Sequence, residues 1–337
     1  MTPLEALDRA IHYLDRAHET GFKAKAFVRA REVIRELPAD EVEERAAAGT
    51  LTELPGIGNA TARLVTEALS GGNGEPAYLV KLAGETVVPI TPEGQRYRDA
   101  LRGDCHTHST WSDGGATIDE MARAAIALGH QYIVLTDHSA RLTVAHGLDR
   151  ERLIQQIGVV AVLNEELAPF RILHGMEVDI HLDGSLDLDD DLLAHLDVVV
   201  ASVHSKLRMD RKEMTPRMIA AVRSPHVDIL GHCTGRMIGR RPPSEFDADA
   251  VFAACVESGT AVEINSRPER LDPPFELIER AIAAGCWFSI DSDAHATGQL
   301  EWQPHGCDRA AKVDVPIERI INTRNADELV AWTESHA

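Results

Sequence analysis

Two hydrophobic rhythms divide this chain. Up to about residue 70 the apolar positions recur at helical spacing. Leu4, Leu7, Ile11 and Leu14 fall three and four apart and predict one amphipathic helix. Phe27, Ala30, Ile34 and Leu37 predict a second, closed by Pro38. The stretch LTELPGIGNATARLVTEAL at 51–69 reads as a short helix, a tight glycine turn and another helix, and SGGNGEP (70–76) is a turn-rich boundary. Beyond it YLVKLAGETVVPI has some strand character, and 76–102 is read as a linker.

From residue 103 the rhythm changes. Short apolar runs recur: DCHTH (104–108), YIVLTDH (132–138), RILHGMEV (171–178), LDVVVASVH (196–204), VDILGH (227–232), TAVEIN (260–265) and WFSIDSD (287–293). Amphipathic segments such as IDEMARAAIALG and PFELIERAIAAG separate most of them. Continuous apolar runs alternating with helices predict parallel strands covered by helices. The expected fold class is therefore α/β, with seven units forming a closed or nearly closed barrel over 103–337, preceded by a small all-α domain over 1–75.

Composition narrows the function classes. The 337 residues are 44% hydrophobic and 26% charged, as in a soluble globular protein. No apolar run is long enough to span a bilayer, and the first residues lack the pattern of a signal peptide. Five cysteines, odd in number and without a CxxC pair, argue against a disulfide framework and a structural zinc finger, and favour a reducing cytoplasm. The net charge of −20 speaks against simple electrostatic attachment to nucleic acid or an anionic membrane, but suits a site holding several cations.

The candidate chemistry sits where the seven runs end. His106 and His108 are two apart and share a strand face. Asp113 follows in a loop; His138 ends the second run; Glu177 lies near the end of the third; His204 ends the fourth and His232 the fifth; Asp293 and His295 close the seventh. In a parallel barrel all strand C-termini open on one face, so residues scattered along the chain converge there. Nine nitrogen and oxygen donors exceed what one ion needs. Two or three divalent ions (Zn, Mn or Fe) are expected, with a carboxylate bridging a pair. His130, His195 and His226 fall near helix ends or turns and are expected to be exposed or capping. His174 and His181, flanking Glu177, are the nearest competitors for ligand roles. Cys105 is out of phase with His106 and should pack away from the ions.

The motifs DCHTHSTWSDGG, LTDHS, GMEVDIH, SVHS, GHCTGR and SDAH together resemble the PHP (polymerase and histidinol phosphatase) family, in its order, over essentially all of 103–337. The resemblance implies a distorted (β/α)7 barrel with a trinuclear site. One ion would take His106, His108, Glu177 and Asp293; a second Glu177, His204 and His232; a third Asp113, His138 and His295. Within the family the likeness is to the C-terminal domain of bacterial family X DNA polymerases, and residues 4–69 resemble their helical DNA-binding domain. Two departures stand out. Residues 76–102 occupy the place of the polymerase palm, so no polymerisation is expected. Leu64 stands where lyase-active relatives carry their Schiff-base lysine, so no lyase activity is expected.

In the helix-hairpin-helix segment, Gly56 and Gly58 permit the turn, and the N-terminus of the following helix offers backbone N–H groups to a DNA phosphate. Lys23, Lys25, Arg29, Arg31 and Arg35 form a basic stretch interrupted only by Glu32. Around the barrel mouth, Arg236, Arg240, Arg241, Arg267 and Lys206 are candidates to neutralise a substrate phosphate. The expected activity is a metal-dependent phosphoesterase acting on DNA ends: a 3′-phosphatase, a 3′–5′ exonuclease or an abasic-site endonuclease. The alternatives are a small-molecule phosphatase such as histidinol phosphatase and a non-catalytic DNA-binding scaffold.

Overall fold

The structure, a computed structural model, describes residues 1–19, 21–71 and 74–336. The chain divides into two compact units between Val88 and Pro89. The first is all helical: α1 (Pro3–Arg16), α2 (Phe22–Glu36), α3 (Ala39–Ala48), α4 (Asn59–Leu69) and α5 (Ala77–Glu85). Helix α1 starts where Thr2 and Glu5 satisfy each other's backbone N–H groups in a capping box, with Pro3 at the first helical position. Leu7 and Leu14 of the first stripe and Phe27 and Ile34 of the second join Leu51, Leu64 and Leu79 in its core, all almost fully buried, each worth about 1.5–3 kcal/mol relative to exposure.

The stretch 76–102, read as a linker, holds two helices. Leu79 and Leu82 of α5 join the core of the first unit. Helix α6 (Pro92–Ala100) instead gives Tyr97 to the core of the second, its hydroxyl donating to Val315 O at 2.8 Å. Helix α5 (AYLVKLAGE) is apolar along most of its length and so reads as readily as a strand, whereas α6 (PEGQRYRDA) offers only Tyr97 as a large apolar anchor.

In the second unit β1 (Gly103–Thr107), β2 (Tyr132–Leu135), β3 (Arg171–Asp179), β4 (Val198–Ser202), β5 (Ile229–Leu230), β6 (Ala261–Asn265) and β7 (Trp287–Asp291) pair in parallel in sequence order. Between and after them run α7 (Ile118–Ala127), α8 (Arg150–Leu167), α9 (Asp190–Leu193), α10 (Arg211–Val222), α11 (Ala248–Ser258), α12 (Phe275–Ala284), α13 (Gln303–Lys312) and α14 (Ala326–Glu334). Alternation along each strand separates two packed layers. Tyr132 and Val134 of β2 cluster with Leu173, Val198, Val200 and Leu329, whereas Ile133 and Leu135 pack with Met121, Ala122 and Ala125 of α7.

The seam between β1 and β7 has one bridge, Thr107 to Ala294, and side chains complete it. Asp291 accepts from Cys105 N at 2.8 Å, Asp104 accepts from Ser292 N at 3.2 Å, and Asn322 donates to Ile290 O at 2.8 Å. The barrel is nearly closed, so every strand delivers its C-terminal end to the same mouth. Among the described residues no helix is long and apolar enough to cross a membrane.

Candidate metal centre

All nine donors read from sequence meet at that mouth. His106 lies within β1 and Glu177 within β3; Asp113 sits in the loop after β1, and the others stand within four residues of a strand end. Their donor atoms fall into four overlapping groups within 4.8 Å: His106, His108 and Asp293; His106, Glu177 and His232; His138, Glu177 and His204; His108, Asp113, His138 and His295. The grouping differs from the one implied by the family resemblance. His232 sits with His106 as well as near His204, and His108 and His138 each serve two groups.

Glu177 is the hub. Its Oε2 faces His138 Nδ1 at 2.9 Å, His106 Nε2 at 3.3 Å and His108 Nε2 at 3.7 Å; its Oε1 faces His232 Nε2 at 3.0 Å and His204 Nε2 at 3.2 Å. Several of these close approaches lack hydrogen-bond geometry. His106 Nε2, both ring nitrogens of His108, His138 Nδ1, His232 Nδ1 and Glu177 Oε1 are buried without a hydrogen-bond partner. Buried polar atoms are ordinarily satisfied; His106 Nε2, His108 Nε2, His138 Nδ1 and Glu177 Oε1 are orphans that face one another across the mouth, and such a set fits cations.

The side chains of the centre also compensate one another's charge. Burial opposes ionisation of Glu177, but His204, His138 and His106 outweigh it and hold the carboxyl well below its usual range. Burial likewise opposes Asp293, and Arg267 and Arg270 pull it well down. Burial alone would depress His204; Glu177 and Asp179 overcome it and lift the imidazole to about 9.

Three residues of the site escaped sequence reasoning. Asp179 Oδ1 lies 2.8 Å from His204 Nδ1, leaving Nε2 toward Glu177. Glu263, fully buried on β6, approaches His106 Nδ1 at 2.6 Å. Arg270 places Nε 3.2 Å from Asp293 Oδ2. The signals were present: Asp179 shares the strand face of Glu177, and Glu263 is an acidic residue inside an apolar run. Asp137 also matters, because it accepts from Ser109 N and Oγ, Ser112 Oγ and Gln156 Nε2 and so fixes the loop leading to Asp113.

The competing histidines lie outside the four groups. His174 contacts Gln156, and His181 contacts Asp187. His195 is exposed, and His226 is partly buried, 4.0 Å from Asp190. His130 departs from expectation: it is buried, because Arg98 from α6 reaches across to donate to its ring. Cys105 is fully buried beside Tyr132 and Val134 and belongs to none of the groups.

The rim cations separate by role. Arg236 donates to the carbonyls of Arg270 and Leu271 and so braces two loops together. Arg241 donates to Gly235 O. Arg267 lies against Glu269, Asp293 and His295. Arg240 and Lys206 are exposed, and Lys206 has a left-handed backbone with φ 55°. In the helical unit Lys23, Lys25 and Arg29 are exposed on α2, while Arg31 and Arg35 face Glu32. Gly56 has φ +103°, and a Cβ there would come 3.0 Å from the Arg29 side chain, which therefore lies over the hairpin. Gly58 has no such strain; it caps α4, and its N–H is used by Thr61 Oγ1 at 3.0 Å.

The PHP domain family matches residues 104–267, and the helix-hairpin-helix domain family matches residues 2–73. Over 232 residues the chain is 42% identical to the DNA polymerase/3′-5′ exonuclease PolX of Bacillus subtilis; the match spans 69% of this chain but only 41% of that protein. It is 34% identical over 206 residues to a probable phosphatase of Thermoanaerobacter sp., covering 58% of this chain and 79% of the phosphatase. Among solved structures, histidinol phosphate phosphatase from Lactococcus lactis, complexed with zinc, L-histidinol and phosphate, superposes with a TM-score of 0.47 at 17% identity, covering 63% of this chain and 94% of the other.

Proposed function

Because the chain belongs to the PHP family of metal-dependent phosphoesterases, we propose that it hydrolyses phosphate esters of DNA, at strand ends or abasic lesions, as a 3′-phosphatase, 3′–5′ exonuclease or abasic-site endonuclease. The observation that carries this reading is one chain joining a PHP barrel to a helix-hairpin-helix domain on which Lys23, Lys25 and Arg29 are exposed, Arg29 lying against the hairpin glycine Gly56. The likeness to a polymerase that is also named an exonuclease supports it.

The orphaned donors around Glu177 fit two or three divalent ions, drawn from zinc, manganese and iron. His106, His108, His138, His204, His232 and His295 would hold them with Asp113, Glu177 and Asp293, and Glu177 would be shared. Such ions supply Lewis acidity toward phosphoryl oxygens and lower the pKa of water to near neutrality. Arg267 and Arg270 keep Asp293 ionised and add positive charge beside it. Lys206 and Arg240 are exposed to receive further phosphates of a polymeric substrate. Five buried, unbonded cysteines support a reducing cytoplasm as its location.

The second reading, a small-molecule phosphatase, rests on the relative named a probable phosphatase, most of whose length this chain covers. One comparison separates the two. The manganese- or zinc-loaded protein is assayed side by side on a 3′-phosphorylated oligonucleotide, a 3′-hydroxyl strand, an abasic duplex and histidinol phosphate. Preferred turnover of any DNA substrate supports the first reading; turnover of histidinol phosphate alone overturns it.

A further inference from the structure

Strand β6 gives the centre no ligand, yet it touches more of the ligands than a mere spacer would. Glu263 and Asn265 are two apart on it, so their side chains share one face. Both are fully buried. One oxygen of Glu263 lies 2.6 Å from His106 Nδ1, and the other accepts the backbone N–H of His232. Asn265 Nδ2 donates to Asp293 Oδ2 at 3.1 Å and lies 3.3 Å from Glu263 Oε2. Asn265 Oδ1 accepts from Arg267 N at 3.1 Å, which fixes the amide's orientation. A single strand thus reaches the ring of a ligand from β1, the backbone of a ligand after β5 and the carboxylate of a ligand after β7.

We propose that Glu263 and Asn265 are positioning residues for the metal centre, setting His106, His232 and Asp293 as one unit. The inference rests on the reading of this mouth as a metal centre. The chemistry follows from the donor inventory. A carboxylate has no proton to give, so His106 must carry its proton on Nδ1, and Nε2 is left as the lone-pair donor. That nitrogen is the one facing Glu177 and lacking a hydrogen-bond partner. A buried carboxylate is costly to keep in a strand. An apolar residue would serve packing better, so the charge is retained for what it does to the imidazole. Asn265, accepting with one end and donating with the other, holds Asp293 Oδ2 together with Arg270 and leaves Oδ1 toward His108. Neither Glu263 nor Asn265 is hydrogen-bonded directly to a member of the group made of His108, Asp113, His138 and His295; Asn265 reaches it only through Arg267, which lies 3.0 Å from His295 Nδ1. The dependence is therefore selective: the inner ions need β6, and the outer one does not.

The test uses the full chain, stripped with a chelator and dialysed against Mn2+, with bound metal counted by elemental analysis and affinity measured by competition. Thermal melts of the stripped proteins report folding separately. Glu263→Gln is close to isosteric and removes only the charge; Asn265→Ser removes the link to Asp293. Each variant is expected to bind the inner ions about 10–100-fold more weakly, the range for loss of a ligand's outer partner, while retaining at least one ion and a cooperative melt. Wild-type affinity and count in a folded Glu263→Gln protein overturns the inference. If that variant does not fold, Asn265→Ser decides by the same measure. Failure of both stripped variants to fold also overturns it, since positioning predicts an intact barrel. Absence of Mn2+ from the wild-type protein overturns the metal centre itself, a distinct result.

Discussion

Glu177 Oε1 stands 3.0 Å from His232 Nε2, while the other oxygen of the same carboxylate stands 2.9 Å from His138 Nδ1. One side chain therefore spans the mouth between the ends of β2 and β5. Removing it severs every inner group but one. Glu177→Ala is expected to lower hydrolysis of p-nitrophenyl phosphate by more than the 10–100-fold or so that follows loss of an outer partner, with fewer ions bound. His226→Ala, in the turn before β5, should leave rate and metal content unchanged. Equal loss in both would mean that the residues at the strand ends are not the working set.

Most of the nine donors were legible because they lie at or near the end of an apolar run, with Asp113 in the loop after the first, and a parallel barrel turns that linear regularity into a point in space. The helices over 76–102 were not: α5 offers Leu79 and Leu82, α6 offers Tyr97, and each is stabilised by a core that only the folded unit creates. Glu263 and Asn265 lay in plain view in TAVEIN, but period-two alternation reveals only that they share a face, not which histidine that face meets. The burial of His130 was hidden for the same reason. Its partner Arg98 lies on a helix that the sequence did not announce.

That pair has a measurable consequence. Arginine only donates, so His130 Nε2 must accept at 3.2 Å, and the ring is neutral in the native state. Burial first, and Arg98 second, lower its pKa from 6.5 to about 3. The unfolded chain then binds a proton that the native chain refuses as pH falls below 6.5. The stabilisation is complete above that value and is lost progressively toward pH 3, at up to about 1.4 kcal/mol per pH unit. In metal-free protein, urea midpoints measured from pH 7 to pH 4 should fall less steeply for His130→Gln than for the wild type. Parallel slopes would contradict the assignment.

No template-directed nucleotide incorporation is expected with any divalent metal, because residues 76–102 hold only α5 and α6 where a palm would stand. Nor should borohydride trap the protein on an abasic site through α4, since Leu64, which the family resemblance puts in the place of the lyase lysine, is a fully buried apolar side chain. Primer extension by a contaminant-free preparation would overturn the first statement; a covalent adduct mapped to α4 would overturn the second.

Division of labour between the units gives the last prediction. The helical unit closes its own core with Leu79 and Leu82, so a cut at residue 77 would strand α5, and the place to divide the chain is Val88/Pro89. A chain beginning at Pro89 keeps α6 against its own core and retains all nine donors. It is expected to bind the same number of ions and to turn over p-nitrophenyl phosphate at the full-length rate. On DNA it should be weaker, and the advantage of the intact chain should shrink as salt rises, because the exposed Lys23, Lys25 and Arg29 act through phosphates. So few contacts give a shallow salt dependence, with a log–log slope on the order of −2 to −4. Reversing charge at Lys23 and Lys25 together should reproduce the truncation on DNA without changing small-ester turnover. Both positions are exposed on α2 and outside the buried core, and a thermal melt of the variant checks that lost DNA affinity is not unfolding, since Lys23 lies over the Tyr78 ring. If the shortened chain binds and cuts DNA as well as the intact one, the helical unit is not a DNA clamp, and a role in self-association becomes the reading to test.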